Sequence, residues 1–352
     1  MWTTAALARI FRRRLLGRVE PPLESVAVKS WTIAPAETTT PKAAVFLPGQ
    51  LERITGWQFA DVNPAPEMLG GIEVQHRATR AYLLKDAWLL DGTLSKGAAC
   101  SYLQARERRW PQLRVDRELE RGAVYCTPGG NRYFGQWLLD DCLTYPLAAA
   151  EGEPVTTAKA LSPHMEVYQQ WLAMTPTHVS NARLREAVIF DDVGQNRHKR
   201  ARCAAMKAKL LAHVDAKPHP GVFLVRGTAG QRRVLIDELA LAERLRDRRG
   251  FRIVDPLAAT LPLVLQACAG ARVVCGVEGS GLMHGILVQP PGGAVLALQP
   301  PNRFVAVYKH IADRDGNSFG FVVGRQVGED FSVDGDEVER TLDMFPSAAA
   351  AA

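Results

Sequence analysis

The stretch Ala271–Gln289, ARVVCGVEGSGLMHGILVQ, decides how the rest of the chain reads. It opens with apolar and β-branched residues (Val273, Val274, Cys275) and breaks at Gly276-Val277-Glu278-Gly279-Ser280-Gly281. It resumes with Leu282, Met283, Ile286 and Leu287 at helical spacing. That order spells a buried strand, a glycine turn and a helix start. A helix start directs unsatisfied backbone N–H groups, and the positive end of a dipole, at whatever lies above the strand; phosphate is the usual occupant. Ser280 adds a hydroxyl, and Gly279 and Gly281 admit a ligand close to the backbone. The competing reading is a βα turn that binds nothing, because a single glycine motif is weak evidence.

Strands and helices alternate around this stretch. Val222–Val225 reads as a strand, Leu235, Leu239, Ala242 and Leu245 trace a helix, and Phe251–Val254 is a strand. Leu261–Cys268 is a helix and Val295–Leu298 another strand. Such alternation predicts an α/β domain, a parallel sheet with helices on both faces, whose ligands bind at the carboxyl ends of the strands. Arg226 follows the VFLV strand directly and leads into Gly227-Thr228-Ala229-Gly230-Gln231-Arg232-Arg233. A glycine loop bracketed by arginines suits a diphosphate, and a solvated basic loop is the alternative. Glu278 is placed either to accept hydrogen bonds from a ribose or to cap the coming helix. His284, on the first turn of that helix, is either part of the site or a structural histidine.

Upstream, Asp215–Gly221 (DAKPHPG) is the best linker candidate. Before it, Arg197–His213 reads as a basic helix, Glu186–Asp192 as a strand and Ser162–Met174 as a helix. Lys42–Leu47 is a further strand candidate. The region from there to Gly130 reads as irregular and partly β, with short alternating segments at Tyr82–Leu84 and Trp88–Leu90. Asn131–Pro146, NRYFGQWLLDDCLTYP, is helical and carries adjacent Asp140 and Asp141. Burying both carboxylates is expensive, so at least one should face solvent or a cleft. A cleft-facing carboxylate can deprotonate a sugar hydroxyl as general base; a solvated helix edge is the bland alternative. The expected domains are a basic helix and extended arm over 1–40, an N-terminal domain over 41–215, a C-terminal domain over 216–330 and a tail over 331–352.

Composition narrows the choices. The 352 residues are 47% hydrophobic and 23% charged, ordinary for a globular chain of two domains. The net charge of +6 comes from arginines scattered through the chain, with dense clusters at Arg12–Arg14, Arg106–Arg109 and Arg244–Arg249. No basic stripe carries interleaved aromatics, which argues against nucleic acid. Six cysteines form no CxxC pair, so they read as reduced and the compartment as cytoplasmic. The start, MWTTAALARIFRRRLLGR, resembles a basic amphipathic helix suited either to a membrane surface or to packing on its own domain. A serine-hydrolase elbow needs Gly where Glu278 precedes Ser280, and no GxxxxGK[ST] is present. Gly279-Ser280-Gly281 with Gly285 has a GxGxxxG form, yet no Asp or Glu follows until Asp313, so NAD(P) and an oxidoreductase are disfavoured. Metal-ligand spacing is missing as well, and no cofactor or metal is expected.

Taken together, these two stretches resemble glycosyltransferase family 61, in its bacterial branch linked to capsular and exopolysaccharide synthesis. The resemblance rests on Tyr133, Phe134, Gln136, Trp137, Leu138 and Asp140 in the first stretch. From about Gly221 to Pro301 it rests on Arg226, Arg233, Asp237-Glu238, Gly250-Phe251, Gln266 and the glycine turn. Two positions depart: the family's usual His is Gln136 here, and its His-Gly-Ala-Gly-Leu reads Glu278-Gly279-Ser280-Gly281-Leu282. An amide does not titrate, so the expected base moves to Asp140, with Asp141 and Gln136 as the other candidates at the catalytic site. The resemblance implies a GT-B architecture, two Rossmann-like domains facing across a cleft. It implies inverting, metal-independent transfer from a nucleotide sugar to a surface glycan or lipid-linked glycan. Arg226, Arg233, Glu278, Gly279, Ser280, Gly281 and His284 would hold the donor. A non-catalytic nucleotide- or glycan-binding member of the fold is the alternative.

Overall fold

Residues 3, 4, 7, 11, 19–58, 63–105, 110, 112–228 and 230–346 are described by a computed structural model. The Arg106–Arg109 cluster, the alanine tail Ala348–Ala352 and most of the N-terminal basic helix lie outside them. The chain forms two compact units, Met1–Ala36 with Arg77–Lys199, and Glu37–His76 with Arg200–Ala352. These are not the boundaries expected from the sequence.

Among the described residues, the first unit holds eight strands: β1 (Lys29–Ala34), β2 (Thr79–Leu90), β3 (Thr93–Lys96), β4 (Ala99–Tyr102), β5 (Arg117–Val124), β6 (Glu153–Thr157), β7 (Thr177–Val179) and β8 (Asn181–Asp191). They form one sheet in the order β4-β3-β2-β8-β5-β6-β7, with β1 also on β2. Pairings among β1 to β4, and of β2 with β8, are antiparallel, whereas β8-β5-β6-β7 are parallel. The sheet is therefore mixed, and only its parallel half fits the Rossmann-like expectation. The "extended arm" is extended, but β1 is a paired strand of this sheet. The two short segments at 82–84 and 88–90 join as β2. Its alternation is interrupted by Asp86, which has φ 52° and pairs with Arg183 at 2.5 Å. Helices α1 (Pro128–Arg132), α2 (Cys142–Glu151) and α3 (Pro163–Trp171) complete the unit. Leu84, Leu89, Leu94, Leu119 and Leu184 fill its core.

Helix α4 (Arg197–Leu211) carries the chain from one unit to the other, since the boundary falls at Lys199. The second unit then alternates β9 (His219–Leu224), α5 (Glu238–Arg249), β10 (Phe251–Val254), α6 (Leu261–Cys268), β11 (Ala271–Val277), α7 (Leu282–Val288), β12 (Ala294–Gln299), α8 (Val307–Asp315), β13 (Ser318–Val323) and α9 (Gly335–Asp343). The sheet is all parallel, in the order β10-β9-β11-β12-β13. Alternate residues of β11 serve opposite faces. Val273, Cys275 and Val277 share a core with Leu241, Ala242 and Leu245 of α5 and Val338 of α9. Gly285 of α7 sits instead on Val274. Helices on both faces of a parallel sheet are thus present, as the alternation predicts.

Asp215–Gly221 is not the linker. Its backbone is tied to α6, with Asp215 N donating to Gln266 Oε1 (2.9 Å) and Gln266 Nε2 to Asp215 O (2.6 Å). His219 and Gly221 already pair within the sheet. Prolines and glycines end a helix as readily as they mark a linker, and composition reads the two alike. Lys42–Leu47 forms a single bridge, Val45 to Gly320, rather than a strand, and Phe46 stacks on Phe321 at 4.8 Å. This covers the edge strand β13. The expected tail is structured up to Pro346: Val338 and Phe345 are in the core, and Glu337 holds Arg53 through a bidentate pair at 2.6 and 2.7 Å.

Candidate functional site

In the order β10-β9-β11-β12-β13, the direction of winding reverses between β9 and β11. Ligands of doubly wound sheets bind beyond the carboxyl ends of the strands at such a switch point. Arg226 follows β9, and Glu278–Gly281 follow β11. The exit from β9 is fixed by Glu238 at the start of α5, whose Oε1 and Oε2 accept from Arg226 N (2.9 Å) and Gly227 N (2.7 Å). Burial pushes the Glu238 carboxyl up, and those two N–H groups oppose it. The Arg226 guanidinium donates to Gln231 O (2.9 Å) and lies against Gly279, where a Cβ would collide with it.

Glu278 is 2% exposed. Its carboxylate pairs with Arg233 and accepts from Arg303 Nε at 3.3 Å, with the Tyr308 hydroxyl at 3.5 Å. Tyr308 in turn accepts from Gly279 N at 2.6 Å. The Arg233 and Arg303 side chains are 9% and 26% exposed. Arg226 stands in the field of the same carboxylate. Burial lowers the pKa of both Arg226 and Arg233, and Glu278 opposes that shift. Among the described residues, three guanidinium groups thus gather at this turn: Arg233 and Arg303 pair with Glu278, and Arg226 lies in the fields of both Glu278 and Glu238. Such a site is made for an anion.

The grip differs from the one expected at a helix start. Helix α7 is only seven residues long. The N–H groups of Leu282, Met283 and His284 are spent on Gly279 O (3.1 Å), Ser280 O (3.2 Å) and Gly281 O (3.3 Å), and that of Gly279 on Tyr308. Positive charge here comes from side chains. Ser280 and Gly281 remain half-buried at the turn, whereas His284 is 3% exposed within the helix. Glu278 faces arginines rather than solvent. Sequence reading missed Arg303 and Tyr308, because no local pattern ties residues 25 and 30 positions downstream to Glu278.

The second group of candidates lies in the first unit. Thr127 caps α1 by accepting from Gly130 N (2.9 Å), and the chain continues through a π-helical turn, Trp137–Asp141, into α2. Such turns insert one extra residue and recur at functional sites. The turn sends consecutive carboxylates into different surroundings. Asp141 is fully buried, and its Oδ1 accepts from Thr127 N (3.1 Å) and Oγ1 (2.8 Å). A Cβ on Gly130 would strike its carboxylate. Burial pushes the Asp141 carboxyl up to about 8. Asp140 is 36% exposed at its side chain and pairs through Oδ1 with Lys199 Nζ at 2.6 Å. Gln136 is exposed, its amide lying across Gly129. Of the two carboxylates, Asp140 is the one open to solvent. No group of three or more His, Cys, Asp or Glu side chains among the described residues is arranged to hold a metal ion, and none of their helices is long and apolar enough to cross a membrane.

A doubly wound sheet with a cationic switch point and a separate α/β unit with a partly exposed carboxylate are both compatible with a glycosyltransferase. The chain belongs to glycosyltransferase family 61: it matches Glycosyltransferase 61 over residues 111–295, more than half its length. The match includes Asp140, Asp141, Lys199, Arg226, Arg233 and the glycine turn, and ends before Arg303 and Tyr308. No curated relative matches the chain.

Proposed function

We propose that this glycosyltransferase moves a sugar from a nucleoside diphosphate to a growing bacterial surface glycan, with inversion and without a metal. The single observation that supports this most is the gathering of the Arg226, Arg233 and Arg303 guanidinium groups at Glu278, which suits a departing diphosphate and would supply charge a metal otherwise brings. In this reading the second unit holds the donor and Asp140 of the first activates the acceptor, within a GT-B-like arrangement. The acceptor hydroxyl gives its proton to Asp140, and its oxygen bonds the anomeric carbon from the face opposite the leaving group. The anomeric C–O bond breaks, and its electron pair leaves on the diphosphate between Arg226, Arg233 and Arg303. Capsule, exopolysaccharide or lipopolysaccharide would be the product, made on the cytoplasmic side of the membrane. The basic segment MWTTAALARIFRRRLLGR would make the membrane contact.

A thermal-shift panel of UDP, GDP, CDP, CMP, dTDP and NAD(P), with and without EDTA, tests this reading. A ligand at 100 times its dissociation constant stabilises by about 2.7 kcal/mol, a readable shift. An EDTA-insensitive shift with one nucleoside diphosphate is expected. A shift with NAD(P) alone would overturn the reading, and no shift at all would favour a non-catalytic glycan-binding member lacking the usual histidines.

A further inference from the structure

We propose that Lys199 is a positioning residue for the transfer reaction, its ammonium holding the Asp140 carboxylate in the orientation from which it takes the acceptor's proton. This rests on the reading of Asp140 as the base. The lysine side chain is completely buried, yet its Nζ lies 2.6 Å from Asp140 Oδ1 and 2.9 Å from Asp192 O. Its own backbone is pinned as well: Lys199 N donates to Asn196 Oδ1 (3.0 Å), and Asn196 Nδ2 donates to Thr79 Oγ1 (3.1 Å). Thr79 Oγ1 donates to Asp192 Oδ1 (3.0 Å), while the Thr144 hydroxyl is shared between Asp192 Oδ2 and Asp140 O, each at 3.0 Å. The starts of α4, β2 and α2 are thereby joined around one ammonium.

Burying an ammonium costs several kcal/mol even after relaxation, and a well-packed apolar side chain of similar volume would avoid that cost. A purely structural role therefore leaves the charge unexplained. The carboxylate that the ammonium pairs with is the partly exposed one in the π turn. Because Nζ is anchored on both the Asp192 carbonyl and Asp140, it fixes one carboxylate oxygen and with it the direction of the other. Misplacing a reacting group by about 1 Å costs on the order of 100-fold in rate.

The test compares Lys199→Met, Lys199→Arg, Asp140→Asn and the double variant Asp140→Asn/Lys199→Met in the full chain. Nucleoside diphosphate release is followed from UDP-glucose, UDP-N-acetylglucosamine, GDP-mannose and dTDP-rhamnose, and melting temperature is measured alongside. Lys199→Met should lower kcat by about 100-fold with KM for the donor unchanged, and Lys199→Arg should recover part of the loss. The double variant should be no slower than Asp140→Asn alone, because the two act as a unit. If Asp140→Asn is inactive while folded Lys199→Met turns over normally, or if the two losses multiply, the positioning role is wrong and the base assignment stands. If Asp140→Asn turns over normally, both fall. A second readout needs neither turnover nor the methionine variant. In protein carrying carboxyl-13C aspartate, the Asp140 resonance, identified by its loss in Asp140→Asn, should move in Lys199→Ala and return toward its place on adding ethylammonium. A resonance indifferent to both changes overturns the inference.

Discussion

Asp140 and Asp141 are adjacent in the chain and face opposite environments. The Asp140 carboxylate is 36% exposed and held by Lys199. The Asp141 carboxylate is sealed inside, one oxygen on Thr127 and the other, Oδ2, without a hydrogen-bond partner among the described residues. Within the π turn one carboxylate is open to solvent, and the other packs the turn against the start of α1.

Asp140→Asn should abolish transfer, with kcat falling by roughly 10²–10⁴-fold as for a lost general base, while nucleoside diphosphate binding stays intact. Steady-state kinetics with calorimetric binding of the diphosphate checks this. Unchanged turnover removes Asp140 from the mechanism.

Asp141 makes stability depend on pH. Below its ordinary value of 3.8 the carboxyl is protonated in both folded and unfolded chains and contributes no slope. From there up to about 8 the folded chain keeps a proton that the unfolded chain releases, so stability falls as pH rises. The slope from one such group is at most about 1.4 kcal/mol per pH unit. Asp141→Asn should flatten that slope, its melting temperature gaining on the wild type between pH 5 and pH 8. Parallel curves would show that Asp141 does not titrate in that window.

Arg226→Ala should weaken nucleoside diphosphate binding by about 1.5–3 kcal/mol, as for a lost charge-assisted bond. Arg303→Ala should do the same by a smaller amount, since its side chain is the more exposed of the Glu278 partners. Equal affinity in Arg226→Ala would move the donor site elsewhere.

Glu278→Gln removes the one carboxylate that, among the described residues, Arg233 and Arg303 pair with. Breaking one side of a buried pair costs about 3–5 kcal/mol. The free protein should therefore melt well below the wild type, and a saturating nucleoside diphosphate should raise its melting temperature by more than it raises the wild type's. An equal ligand shift in both proteins would mean that the anion does not sit among these arginines.

Several parts of this site were legible in local order. The strand, glycine turn and helix over 271–289 appear as read, because apolar β-branched runs, glycines and helical spacing act over a few residues. Arg226 was legible because it immediately follows an apolar strand. Arg303, Tyr308 and Lys199 were not. Each reaches its partner across 25, 30 and 59 residues of chain, and no short-range rule predicts such a meeting.

By itself the sequence determined a parallel α/β domain, four of the five strands of its sheet and a family membership that rests on two short stretches. Those follow from periodicity and turn chemistry, which are local. Only the tertiary structure decided that residues 37–76 join the second unit and that α4 carries the chain between units. It also decided which aspartate is buried, and that guanidinium groups from distant segments meet at Glu278. These outcomes depend on desolvation and on long-range pairing, which exist only once distant segments are packed together.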